Sequence, residues 1–224
     1  MSPRVITVAV GAGLLVIAAV AAASVVLDVP PQTFTRDPAA LAPGLPFYGG
    51  SVSLLSAVVW GAVASLAAFV AWAGGARLRR PLLLLAALAA LLLADDALML
   101  HETLGPRVGI PDEAWYLLYA TVAAVLAWSV RGDLRTGHGA AFVLGGAFLA
   151  VSVGVDALNT ETAVAFLVED GTKLLGALVW ATVPVLAWTS ARGLLAAAEQ
   201  ILDVAAGQEA GECPPPSDQA LVVR

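Results

Sequence analysis

Residues 81–104 read PLLLLAALAALLLADDALMLHETL, and this stretch sets the class of the whole chain. Pro81–Ala94 carries no charge and, after the proline, consists only of Leu and Ala. The segment is long enough to cross the hydrocarbon of a bilayer, which takes about 20 residues of helix. Yet it also holds Asp95-Asp96 and, after four intervening residues, His101-Glu102. A charge inside a span costs roughly 2.5–3.5 kcal/mol on insertion scales, so acids at that depth are a functional-site hypothesis by default.

The same apolar pattern recurs on both sides: Val5–Leu27, Ser51–Ala73, Ala114–Val130, Ala140–Asp156 and roughly Thr162–Ser190. The expected architecture is all-α, a polytopic integral membrane bundle of about six transmembrane helices. Composition agrees. The 224 residues are 60% hydrophobic and 12% charged, against roughly 45–50% and about 25% in an average soluble domain. A water-soluble single domain is excluded. The net charge of −6, with no clustered Lys and Arg, excludes a nucleic-acid partner. The single cysteine, Cys213, allows neither an internal disulfide nor a multi-cysteine metal site.

The chain divides into a transmembrane helical domain, residues 1–192, a cytoplasmic amphipathic helix, residues 193–206, and a disordered, acidic, Pro-containing cytoplasmic tail, residues 207–224. The Pro- and Gly-rich stretch 28–50 reads as a linker on the outer side. Val5–Leu27 has an alternative reading as a cleaved secretory signal, because Arg4 precedes it and Ala21-Ala22-Ala23 offers small residues for cleavage. Its apolar run is long for a signal.

Arginines set the orientation. With six alternating spans, Arg4, Arg77, Arg79, Arg80, Arg131, Arg135 and Arg192 fall on one side and only Arg36 and Arg107 on the other. Both termini are therefore expected in the cytoplasm, the membrane being the bacterial or archaeal plasma membrane. Trp72, Trp128 and Trp188 then lie at inner ends, and Phe47, Tyr48, Trp115, Tyr116 and Tyr119 at outer ends, as an interfacial aromatic belt. Trp60 and Trp180 fall in mid-span and read as packing residues.

The costly residues are not scattered. At 1.5 Å per residue, Asp95 lies roughly 21 Å and His101 roughly 30 Å from the inner end of the third span; Asp156 lies roughly 24 Å along the fifth, and Lys173 roughly 28 Å from Arg192 in the sixth. Asp95, Asp96, His101, Glu102, Asp156, Glu169, Asp170 and Lys173 thus share the outer third of the bundle, with Asn159 and Glu161 in the adjoining loop. Lys173 is the only lysine in the chain. So many carboxylates against one lysine and one histidine require protonation, hydration at the rim, or a cation.

Helical spacing limits the combinations. On an unbroken helix Asp95 and Glu102, seven apart, share a stripe, while Asp96 lies about 100° round and His101 points elsewhere unless the helix unwinds before Gly105-Pro106. Glu169 stands four residues before Lys173, the favourable order for a local ion pair, and Asp170 competes for the same ammonium. The plainer readings stand beside these: a hydrogen-bonded Asp95-Asp96 pair that locks packing, a solvated helix end at His101-Glu102, a helix-end role for Asp156, and a structural ion pair at Lys173. Asp112 and Glu113 read as acids opposing a helix dipole, Asp133 and His138 as solvated loop residues, and Pro184 as a kink.

No HExxH, GxSxG, Walker or dinucleotide signature is present. The two histidines fall short of the several used by intramembrane zinc hydrolases of the alkaline ceramidase type. Asp95–Glu102 together with Glu169–Gly176 resembles a pattern in uncharacterised bacterial multi-span membrane proteins: an acidic pair, four residues, His-Glu, then a later acidic pair and Gly. The resemblance covers two of the six spans and implies no activity.

The leading expectation is a divalent metal ion held by Asp95, His101, Glu102, Asp156 and a carboxylate from Glu169 or Asp170, with Asp96 as candidate catalytic base and Lys173 in an ion pair. Such a site could support metal-assisted hydrolysis or transfer on a lipid-borne substrate. Two other classes compete with it: a proton- or cation-coupled transporter, and a non-catalytic subunit or assembly factor that binds a membrane partner. The lipid bilayer itself is a partner in every case.

Overall fold

The computed structural model describes residues 2–35, 46–74, 76–100, 104–133, 135–158 and 162–211; for residues 2, 76, 77, 112, 194–199 and 201–211 it describes the backbone alone. Among these the regular structure is helical. The order is α1 (Ser2–Val26), a short α2 (Gln32–Thr35), α3 (Ser51–Ala73), α4 (Ala76–Leu98), a single-turn α5 (Gly105–Arg107), α6 (Asp112–Val130), a 3₁₀ turn over Arg131–Asp133, α7 (Gly137–Ala157) and α8 (Ala163–Gly211). Six of them, α1, α3, α4, α6, α7 and α8, are long and apolar enough to cross a membrane. The protein is an all-helical, multi-pass membrane protein. It forms two compact units, Met1–Trp188 and Thr189–Arg224.

The first unit is built around the α8 residues up to Trp188. Leu174, Ala177, Val179 and Val183 have no exposed surface, and 61% of the apolar window of this span is buried, against 11% for α1 and for α6. Lipid-facing helices can expose Leu and Val at no cost because the surrounding tails are equally apolar. A central helix must instead fit its neighbours. α7 meets α8 where two glycines face each other: a Cβ on Gly145 would lie 2.6 Å from Trp180 Nε1 and 3.1 Å from the Gly176 carbonyl oxygen. The space so released admits the Trp180 indole, whose Nε1 donates to the Phe142 carbonyl at 3.1 Å. Trp180 in turn meets Trp60 of α3 edge to face, centroids 6.1 Å apart, a favoured aromatic geometry. Both mid-span tryptophans are packing residues, as expected. α3 and α4 pack along each other, and α4 also meets α6.

The spans match the apolar runs closely, and two local departures matter. The third span was expected to continue to Leu104, but α4 ends at Leu98 because Met99 takes a positive φ of 49°. That dihedral breaks the i to i−4 ladder. The Leu104 amide donates five residues back, to the Met99 carbonyl at 3.2 Å, the bond of a π-type turn, and α5 follows at once. The helix that carries Asp95 therefore ends at Leu98, and the expected stripe with Glu102 falls on a residue outside those described. The second departure is at the start of α7. Thr136 caps that helix, its hydroxyl accepting from the Gly139 amide at 3.1 Å, so the helix begins at Gly137 rather than Ala140. His138 is drawn into the first turn and is 8% exposed, not a solvated loop residue.

Asp112 and Glu113 open α6 as expected of acids at a helix N-terminus. α8 continues through the buried Pro184. In the second unit the backbone is helical as far as Gly211, which includes residues 193–206. Residues 212–224, most of the acidic tail, lie outside the described residues.

Candidate functional site: a polar layer at one end of the bundle

α4 brings its two acids to the layer on its last turn. Asp95 is 5% exposed, and the Asp96 side chain is 8% exposed. Buried carboxylates need partners, because an isolated charge in a low-dielectric interior is strongly disfavoured. Asp96 finds one on a distant stretch of chain: Lys173 Nζ of α8 donates to its Oδ1 at 3.3 Å. The same ammonium lies 3.9 Å from Asp170 Oδ1, one turn earlier on α8. Lys173 is thus shared between a carboxylate of its own helix and one from α4. Its side chain is 26% exposed, so the pair is sheltered without being sealed.

α6 adds two phenols. Tyr119 stands near Asp95, Asp96 and Lys173, its hydroxyl buried and with no hydrogen-bond partner among the described residues. One turn earlier, Tyr116 donates from its hydroxyl to Asp156 Oδ2 of α7 at 2.6 Å. A hydrogen bond to a carboxylate at this length is a strong one. Residues 116 and 119 are three apart and face the same way on a helix. One face of α6 thereby carries the donor to Asp156 and a second phenol near Asp95.

Trp115, Tyr116 and Tyr119 were expected to form an interfacial belt. All three are half-buried among neighbouring side chains. Trp115 is packed over α5: a Cβ on Gly105 would come within 2.6 Å of its Nε1 and 3.1 Å of the Leu100 carbonyl oxygen. Only glycine fits at that close approach. The sequence signal was available, since three aromatics at 115, 116 and 119 occupy one helical face, but an aromatic at a span end satisfies the belt rule equally well. Trp72 and Trp128, by contrast, are largely exposed at the opposite ends of their spans.

Of the residues singled out from sequence, Asp95, Asp96, Asp170 and Lys173 come together, and Asp156 joins through the Tyr116 face of α6. Glu169 stands on α8 one turn before Lys173, half-buried. His101, Glu102, Asn159 and Glu161 lie outside the described residues. Among the described residues, no group of three or more His, Cys, Asp and Glu is placed to hold a metal ion. The arrangement is a sheltered interhelical ion-pair cluster, Asp96 of α4 and Asp170 of α8 around Lys173, with the buried Asp95 adjoining Asp96 on α4.

No curated protein matches the chain, and no solved structure does. A family model described as a domain of unknown function (DUF8692) matches residues 7–187. That match takes in every span from α1 to the buried part of α8, and the chain belongs to this family.

Proposed function

We propose that the polar layer is a cation centre of a plasma-membrane protein, in which a divalent cation meets the carboxylate excess left by Lys173. The observation that carries this reading is that Lys173 Nζ faces Asp96 at 3.3 Å and Asp170 at 3.9 Å, with the buried Asp95 next to Asp96 at the end of α4. One lysine balances one acid. Lys173 is the only lysine in the sequence, against the several acids of this layer, and a bound cation would add positive charge there. Asp95 is the most buried acid among the described residues; Glu102 and His101, which follow it in sequence, and Asp156, Glu169 or Asp170 would complete the ligand set, a mixture of oxygen and imidazole donors suited to Mg, Ca, Mn, Zn or Fe. A cation at this depth would polarise a phosphoryl or carbonyl group of a lipid-borne substrate. Asp96, held off the cation by Lys173, is then the base that takes a proton from attacking water.

A second reading is favoured by the Lys173 contacts themselves. An ammonium shared by two carboxylates is a built-in counter-ion that an arriving cation or proton could displace, as coupled transport requires. Elemental analysis of the detergent-purified protein separates the two. The cation-centre reading expects near-stoichiometric metal in the wild type and its loss in Asp95→Asn. Retention of full metal in that variant excludes Asp95 as a ligand. Absence of metal from the wild type, with proteoliposome flux that follows a pH gradient and fails in Asp96→Asn, establishes the transport reading instead.

A further inference from the structure

The far end of α4 carries a second charged feature that the polar layer does not use. Arg79, Arg80, Leu83 and Leu84 line an open depression of about 380 Å³ on the first turns of this helix. Both arginines are exposed, and neither forms an ion pair with another described residue. Among the described residues, no acid lines the depression. Leu83 is largely exposed, and Leu84 is half-buried against the core.

The order of these residues along the helix is informative. Arg79 and Arg80 stand at the membrane surface, where Arg4, Arg131 and Arg135 also fall, and the leucines stand four residues further in, roughly 6 Å deeper. Cation outside and aliphatic surface inside is the profile of a phospholipid read from headgroup to acyl chain. A guanidinium pair binds phosphate oxygens in a bidentate fork, and the apolar floor has no use for a free phosphate. Trp72, exposed at the end of α3, offers a ring of the kind that settles among headgroups on the same surface.

We propose that this depression is a binding site for one anionic phospholipid, its phosphate held by Arg79 and Arg80 and its acyl chain laid along Leu83 and Leu84. The site is independent of the cation centre at the other end of the helix.

Native mass spectrometry of the full chain in detergent, titrated with phosphatidylglycerol, phosphatidylcholine or inorganic phosphate, tests it. The expected result is a saturable phosphatidylglycerol adduct, weakened about thirtyfold in R79Q/R80Q and unchanged in R131Q, whose arginine lies over the Trp128 ring 3.7 Å from its centroid. The double variant changes exposed side chains only, and unaltered circular dichroism identifies it as folded. Leu83→Ser, which keeps both charges, should weaken the phosphatidylglycerol adduct as well, and the wild type should prefer that lipid over phosphatidylcholine. Equal lipid binding by wild type and folded R79Q/R80Q overturns the proposal. So does an equal loss in R131Q, which would mean general surface attraction, and so does displacement of the lipid by inorganic phosphate, which would mean an anion site without a lipid.

Discussion

Met99 is the residue on which the geometry of the polar layer turns. A positive φ is costly for a side chain with a Cβ, roughly 1–2 kcal/mol, and such outliers persist where the surroundings impose them and cluster at functional sites. A β-branched residue tolerates that conformation worst. Met99→Val should therefore be about 1–2 kcal/mol less stable than Met99→Gly when unfolding is followed in mixed micelles; equal stabilities would show that the left-handed turn is not maintained. Tyr116 offers a second test at this scale. Tyr116→Phe removes the donor to Asp156 and keeps the ring, so a loss of about 1 kcal/mol is expected, with Asp156→Asn costing less in the Tyr116→Phe background than in the wild type. Neither Met99 nor Tyr116 stood out in the sequence. Nothing in ALMLHETL signals a left-handed residue, since glycine and asparagine are the usual markers of that conformation. Tyr116 reads as an ordinary interfacial tyrosine until its partner on another helix is known.

Among the elements, α8 and its crossing with α7 set the packing. Gly145 and Gly176 are one pair among many small-residue pairs in an alanine-rich chain, which is why spacing alone could not single them out. The structure selects them because the Trp180 indole fills the space beside them. Gly145→Ala should cost about 1–3 kcal/mol through overpacking and should disturb the Trp180 fluorescence. Gly154→Ala, on the same helix, where an added Cβ meets nothing within 4 Å, should be neutral or slightly stabilising. Equal effects of the two substitutions would place α7 elsewhere. The span limits themselves were legible, because about 20 uncharged apolar residues have few alternatives to crossing a bilayer. Ser51–Ala73 agrees at both ends, and α4 differs from expectation at the end where acids and a π-type turn replace the apolar run.

For the whole molecule, the clustering of arginines at alternate span ends predicts that both termini face the cytoplasm. Cys213 is the one cysteine, so a membrane-impermeant maleimide should label it in inverted vesicles and not in right-side-out ones; the reverse pattern would invert the topology. The gathering of acids into one layer was legible from helical rise alone, because depth along a span is fixed by residue count. The partnerships within the layer were not. Glu169 and the competing Asp170 were the expected local partners of Lys173, and Asp170 lies 3.9 Å from it; the interhelical contact with Asp96 depends on how α4 and α8 are rotated, and a single sequence does not encode that rotation in any simple periodicity.

The central claim is that titratable groups from separate spans meet and balance one another at membrane depth. A double-mutant cycle on Asp96 and Lys173, read as unfolding free energies in mixed micelles, tests it most directly. Lys173→Met should cost about 3 kcal/mol, because it leaves the buried Asp96 carboxylate without its ammonium, and Asp96→Asn less, because Asp170 still faces Lys173; the double variant should cost at least about 1 kcal/mol less than their sum. Additivity within about 0.5 kcal/mol would mean that the two side chains do not meet, and would contradict the account.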